Sequence, residues 1–346
     1  MGATYKRRGV QIKKIKGQEY KIMEKIIDPV DLSLIKSELT FEKFLRKTNK
    51  ANNEIYIFTA QEAPNTMREI GRLREIAFRD GGGGTGLDCD IDDCDTMENP
   101  YKQLIVWNPD AEEIIGGYRF IHGGDIELDD KGQPVLSTAH MFHFTEKFIK
   151  EYLPYMIELG RSFVRVEYQV AAAGAKGLFA LDNLWDGLGA ITITYPNTKH
   201  FFGKVTMYPD FGTYGRDMIL CFLDKYFEDK DKMVTPFNGL KLEHPKSELE
   251  KILKGNDYKE DFKILNTAVR ETGQNIPPMV NAYMSLSSTM KVFGTSLNDE
   301  FGNVEETGIL VSIAEVNKEK RLRHIESFNK EESGLLQHLQ KTSKAI

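Results

Sequence analysis

Cysteine is scarce: Cys89, Cys94 and Cys221 are the whole complement of 346 residues. Those spacings give neither a disulfide framework nor paired metal ligands, and a reducing cytoplasm is the simplest home. Long apolar runs are also lacking. Thr272 to Met290 carries no charge, but Pro277, Pro278 and interspersed Asn, Ser and Thr exclude a spanning helix there. No signal peptide is expected, because the basic start runs into more charge rather than an apolar core. Met1-Gly2 is no myristoylation signal, since Lys6 stands where Ser or Thr is needed. A positive excess is missing too: the formal net charge is −6, so the average composition gives no sign of a nucleic-acid binder.

What is present describes a folded protein. Twenty Phe and 14 Tyr supply ample apolar area, which excludes global disorder. The length allows one large domain with additions or two small ones. Lys6, Arg7, Arg8, Lys13, Lys14 and Lys16 crowd the N-terminus with no acid among them. They read either as a solvated tail or as an electrostatic handle for an acidic carrier protein or the inner membrane face.

Residues 1–52 read as an extension with a short amphipathic helix, Leu32 to Arg46, capped by Asp31. A strand is expected over Glu54 to Ala60 and a helix over Ala63 to Phe78, then a glycine-rich and acidic loop to Pro100. Leu104 to Trp107 and Ile114 to Ile121 form a hairpin about Asn108-Pro109-Asp110. A short helix near Thr145 to Tyr152 precedes a strand over Tyr155 to Val166. The loop Ala171 to Gly177 then opens a helix. Further expectations are a strand at His200 to Tyr208, a helix at Met218 to Phe227, a polar helical insertion over about 230–272, and a last strand at Gly308 to Val316. Residues 53–320 form the main domain and 321–346 a closing charged helix. The pattern predicts a mixed α/β layer with a mainly antiparallel sheet flanked by helices, not a doubly wound dehydrogenase.

Four motifs follow one another along this order. They are Arg74-Glu-Ile-Ala-Phe78, Asp90-x-Asp92-x-x-Asp95, Gly116-Gly117-Tyr118-Arg119 and Glu158-Leu-Gly-Arg161-Ser162-Phe163-Val164. With Leu184-Trp185-x-Gly187 and the stretch Ile276-Pro277-Pro278 to Asp299-x-Phe301, they resemble the GNAT acyltransferase superfamily. The likeness is to its bacterial ornithine-lipid and glycine-lipid N-acyltransferase branch, often labelled haemolysin-like and related to acyl-homoserine-lactone synthases. The resemblance implies transfer of a fatty acyl group, 3-hydroxylated in some relatives, from a thioester carrier to an amino acid. Glycine is the favoured acceptor and ornithine the second. It implies no tightly bound cofactor. Gln169 departs from the family's usual Arg, and Ala171-Ala-Ala-Gly174 lengthens the loop that holds a diphosphate at a helix N-terminus in members gripping coenzyme A. That departure favours a phosphopantetheine arm on acyl carrier protein over acyl-CoA, with Gly174, Lys176 and Gly177 as the residues meeting it.

Amide synthesis from a thioester needs a neutral amine, so a base must take the ammonium proton. Glu158 is the candidate, because apolar strand neighbours push a carboxylate toward a useful range. Pairing with Arg161 or Arg119 is its bland alternative. Arg161 is the candidate for gripping an amino-acid carboxylate, or else an ion-pair partner. Asp90, Asp92 and Asp95 would hold the cationic amine, or bridge to Arg74, Arg119 and Arg161 and pin their loop to the core. Backbone N–H groups near Phe163 and Val164 would stabilise the thioester oxygen, and Phe78 would line the substrate side.

Other patterns fail on inspection. Asp88, Asp90 and Asp92 have calcium-loop spacing, but Asp93 stands at the glycine position and Asn99 at the final glutamate position. Gly81-x-Gly83-x-x-Gly86 lacks the strand before and the helix after that a dinucleotide site requires. The run Gly81 to Gly84 has no assigned role. His140 and His143 read as ordinary half-buried strand histidines, and no metal site is expected. The competing functions are a lyso-lipid O-acyltransferase, a homoserine-lactone synthase and a non-enzymatic haemolysin. The last would need a lytic or spanning segment, and none is visible.

Overall fold

Strands β1 (Thr4–Arg7), β2 (Val10–Ile15) and β3 (Gln18–Ile22) pair antiparallel in a small sheet of their own. The computed structural model describes residues 4–7, 10–15, 18–169 and 175–343. Arg8 and Lys16 of the basic cluster lie outside the described residues. Lys6, Arg7, Lys13 and Lys14 are placed only as strand backbone.

Helix α1 (Leu32–Glu38) is capped as expected, the Ser33 N–H donating to Asp31 at 2.8 Å. It does not continue to Arg46. A single turn at Phe41–Lys43 leads into strand β4 (Phe44–Lys47), whose backbone pairs with β5 (Glu54–Phe58). Sheet pairing here overrides a helical period that was too short to stand alone. Glu38 finds a different use. Its carboxylate accepts the N–H groups of Asn65 and Thr66 at 3.0 and 2.7 Å, capping α2 (Pro64–Asp80) where Ala63 has no side chain to do so.

The expected loop after α2 contains a short helix, α3 (Asp93–Thr96). The hairpin β6 (Lys102–Asn108) and β7 (Glu113–His122) follows, its turn closed by the Asn108 side chain accepting from Asp110 and Ala111. Strand β8 (Phe142–Phe144), helix α4 (Glu146–Glu151), strand β9 (Met156–Val164), helix α5 (Ala175–Thr194) and strand β10 (His200–Met207) continue the chain. Helix α6 (Thr213–Phe227) precedes the polar segment. That segment is not purely helical: β11 (Val234–Pro236) pairs with β8 before α7 (Lys246–Ile252) and α8 (Tyr258–Glu271). Helix α9 (Pro278–Met284) and strands β12 (Lys291–Asn298) and β13 (Val304–Ser312) come next. The charged tail forms two helices, α10 (Lys318–His324) and α11 (Gly334–Ser343), rather than one.

Two units divide the chain. One comprises Met1–Ile121, Leu159–Asn197 and Lys318–Ile346, the other His122–Glu158 and Thr198–Asn317, so β9 supplies residues to both. In the first, β7, β6, β5 and β4 run antiparallel in that order. Helix α5 lies close on β6, because a Cβ at Gly187 would come within 2.7 Å of the Leu104 side chain. Buried Asp186 accepts from the Asn49 N–H at 2.7 Å and amide at 2.6 Å, and contacts His324 Nδ1 at 2.7 Å, joining α5 to α10. In the second unit, β10, β13 and β12 run antiparallel, and Phe144, Phe148, Phe202 and Phe293 pack edge-on and tilted in the core. The mixed α/β, mainly antiparallel architecture agrees with the sequence reading.

Candidate active site

The glycine run ends α2 and turns the chain back over it. Gly82, Gly84 and Gly86 have φ of 88°, 93° and 81°, the left-handed region that favours glycine. Buried Glu75 gathers this turn, accepting from Thr85 N–H at 3.1 Å, Thr85 Oγ1 at 2.7 Å and Gly86 N–H at 2.7 Å. The chain then crosses Gly71, whose carbonyl accepts the Asp90 N–H at 3.0 Å. A Cβ on Gly71 would stand 2.5 Å from Cys89 Sγ, so glycine there lets the acidic loop seat against the helix. Asp92 caps α3, and Asp95 returns a carboxylate to the Asp92 N–H at 3.2 Å.

The three aspartates meet the three arginines of the motifs in one network within the first unit. Arg74 on α2 and Asp95, both without solvent exposure, approach to 3.1 Å. Arg119 on β7 lies 2.5 Å from Asp92 and 3.2 Å from Asp95, with its guanidinium 5.2 Å from the Tyr101 ring centre. Arg161 on β9 lies 2.9 Å from Asp90 and 3.3 Å from Asp92. Gln103 on β6, which no motif singled out, accepts from Arg74 at 2.6 Å and donates to Asp95 at 2.8 Å. Three charges of each sign neutralise one another, which is the condition for burying them. Exposure grows along the network, from nothing at Arg74 to 14% of the side chain at Arg161 and 35% at Asp92.

Local electrostatics separate the acids. Burial disfavours the charged form of Asp92, but the Arg119 and Arg161 guanidiniums outweigh it and hold the carboxyl well below the usual range. Burial wins at Asp90, whose carboxyl is raised despite Arg161, Arg74 and Arg119. Arg161 itself has φ of 48° inside β9, a conformation rare for any residue but glycine. Such a residue breaks the strand's alternation and re-aims a side chain.

Next to it, Phe163 is buried and its carbonyl packs against Gly116, where a Cβ would come within 2.5 Å. The Val164 carbonyl accepts from Gln169 Nε2 at 2.5 Å, and the Arg165 N–H donates to Ile115 at 2.8 Å. Gly116-Gly117 is therefore a spacing device between β7 and this part of β9. Phe78 is buried on α2, in the same unit. Gly174 lies outside the described residues. Lys176 falls in the first turn of α5 with no description of its side chain, and Gly177 follows it there.

Glu158 belongs to the second unit. Its side chain has no solvent exposure, and Ser137 donates to it twice: N–H to Oε2 at 3.4 Å and Oγ to Oε1 at 3.2 Å. Thiol chemistry finds no support. Burial pushes Cys89 up to about 12 and Cys221 up to about 11, so both are neutral thiols at pH 7. His143 is on β8 as expected, exposed rather than half-buried, and His140 precedes that strand. Among the described residues no group of three or more His, Cys, Asp or Glu is arranged to hold a metal, and no helix is long and apolar enough to cross a membrane.

Residues 73–176 match the family model of the acetyltransferase (GNAT) domain, a span that holds every one of the four motifs. A glycine N(alpha)-acyltransferase of Bacteroides thetaiotaomicron is 63% identical over 306 residues, covering 88% of this chain and 91% of that protein. A glycine N(alpha)-acyltransferase of Phocaeicola vulgatus is 62% identical over 309 residues, covering 89% and 95%. No solved structure matches the chain. Likeness of that degree over nearly the whole of each chain cannot come from the GNAT domain alone, and the chain is an acyltransferase that belongs to the GNAT-type glycine N(alpha)-acyltransferase family.

Proposed function

We propose that this enzyme moves a fatty acyl group from the phosphopantetheine thioester of acyl carrier protein to the α-amino group of glycine, forming an N-acylglycine. The observation that carries the acceptor is the near full-length likeness to two proteins named for glycine acylation. Acyl carrier protein as donor is supported by the lengthened Ala171-Ala-Ala-Gly174 segment and the basic N-terminus, which suits an acidic partner.

Glu158 takes the proton of the glycine ammonium, leaving a lone pair to attack the thioester carbon. The new C–N bond forms, the C–S bond breaks, and the departing pantetheine sulfur takes the second proton that the nitrogen sheds. Arg161, the most exposed cation of the arginine–aspartate network, accepts the glycine carboxylate through its guanidinium edge. Asp90 and Asp92 hold that guanidinium in place, and Arg74, Asp95 and Arg119 anchor them. Backbone N–H groups near Phe163 and Val164 receive the developing oxyanion. Purified protein with acyl carrier protein loaded with a 3-hydroxyacyl chain, offered glycine, ornithine and a lyso-phospholipid separately, tests this by mass spectrometry. N-acylglycine is the expected product. Acylated ornithine or acylated phospholipid in place of it, or no product with glycine, overturns the reading.

A further inference from the structure

The sequence motifs account for Glu158 but not for what holds it. One partner comes from a stretch twenty-one residues earlier that no motif marks. Ser137 offers both of its donors to one carboxylate, the N–H to one oxygen and the hydroxyl to the other. The mount for this serine is well fixed. Leu136 and Thr138 on either side are buried, and the Thr138 carbonyl accepts the N–H groups of Met141 and Phe142 at 3.0 and 3.2 Å. The Ala139 N–H donates to Leu136 at 3.0 Å, and the segment runs straight into β8, which pairs with β11.

We infer that Ser137 is a positioning residue: it fixes the Glu158 carboxylate in the orientation from which that group takes the amine proton. The inference rests on the reading of Glu158 as the base. Each carboxylate oxygen has two lone-pair directions. A donor on each oxygen opposes rotation about the final side-chain bond. A base within hydrogen-bond reach gains rate only if its lone pair points at the proton, so losing the clamp costs turnover rather than affinity. Ser137 keeps its own proton throughout. Of the two protons that the glycine ammonium sheds, one passes to Glu158 and the other to the departing pantetheine sulfur.

Steady-state kinetics with acyl carrier protein thioester and glycine on Ser137→Ala, Ser137→Thr, Glu158→Gln and the Ser137→Ala/Glu158→Gln double variant test this. Ser137→Ala keeps the backbone donor and removes only the hydroxyl. The expected result is a fall in kcat of roughly tenfold or more with KM for glycine changed less than about twofold, recovered in Ser137→Thr. In the Glu158→Gln background the serine change should add nothing, since residues that act as a unit are non-additive. Wild-type turnover in Ser137→Ala, loss of its folding, or an equal fall in both backgrounds would overturn the positioning role. High activity in Glu158→Gln would instead overturn the reading of Glu158 as the base.

Discussion

The charged residues of the first unit face a choice between paying for desolvation and finding a partner, and the network resolves it by exact neutrality in number. Arg74 and Asp95 sit without solvent, where removing one member would leave the other as an uncompensated buried charge. Asp92 ties the network to pH. Its carboxyl is held below the unfolded value of about 3.9, so the stability it contributes is complete above that value. The contribution is lost as pH falls through the lower folded value. Asp90 has the opposite sign: burial raises it, so its ionised form costs stability that protonation returns. We expect acid unfolding of the wild type to be steeper below about pH 4 than that of Asp92→Asn. Urea titrations at neutral and acidic pH check this, and parallel curves would refute it. All six charged members were legible as types in the sequence, and ion pairing among them was one of the two readings. Which acid meets which arginine was not, because the pairing depends on how a loop lies across α2. Gln103 escaped notice because a lone glutamine on a strand carries no spacing signal.

Among elements, the local patterns with strong periodicity were the readable ones: α2, the β6–β7 hairpin and β9 stand where the sequence puts them. Those decided by distant partners were not. The segment after α1 becomes a strand because β5 offers its backbone an edge, and β12 was missed because Gly294, with φ of 89°, interrupts its alternation at a bulge. The glycines of the motifs gained their meaning only from neighbours in space. Gly116 is the sharpest case, since an added methyl would press on the Phe163 carbonyl at 2.5 Å. Gly116→Ala is expected to cost roughly 1–3 kcal/mol and to lower kcat more than the loss of folded protein explains, because β9 carries Arg161 and the Phe163–Val164 backbone. Denaturant unfolding alongside kinetics measures both, and an unaltered kcat would show that this stretch of β9 is tolerant of displacement.

For the whole molecule, the sequence conveyed the class of fold and the reaction but not the interleaving of its two units along the chain. Two returns of the chain build the first unit, and no local pattern announces a return. Strands β1 to β3 pair only with one another among the described residues, whereas the Glu24 and Ile27 N–H groups are tied to Gly86 and Asp88. Removing residues 1–22 should therefore leave the thermal midpoint within about 2 °C, while raising KM for the acyl carrier protein and flattening its salt dependence. An unchanged KM in low salt would assign this segment some other task. The seam at Asp186 has a further consequence, for biosynthesis. Asn49 and His324 converge on that carboxylate, yet they are translated far apart, so a nascent chain halted before His324 leaves the ribosome holds an acid walled in with half its partners missing. Folding of the first unit is thereby made to wait until residue 324 has been translated.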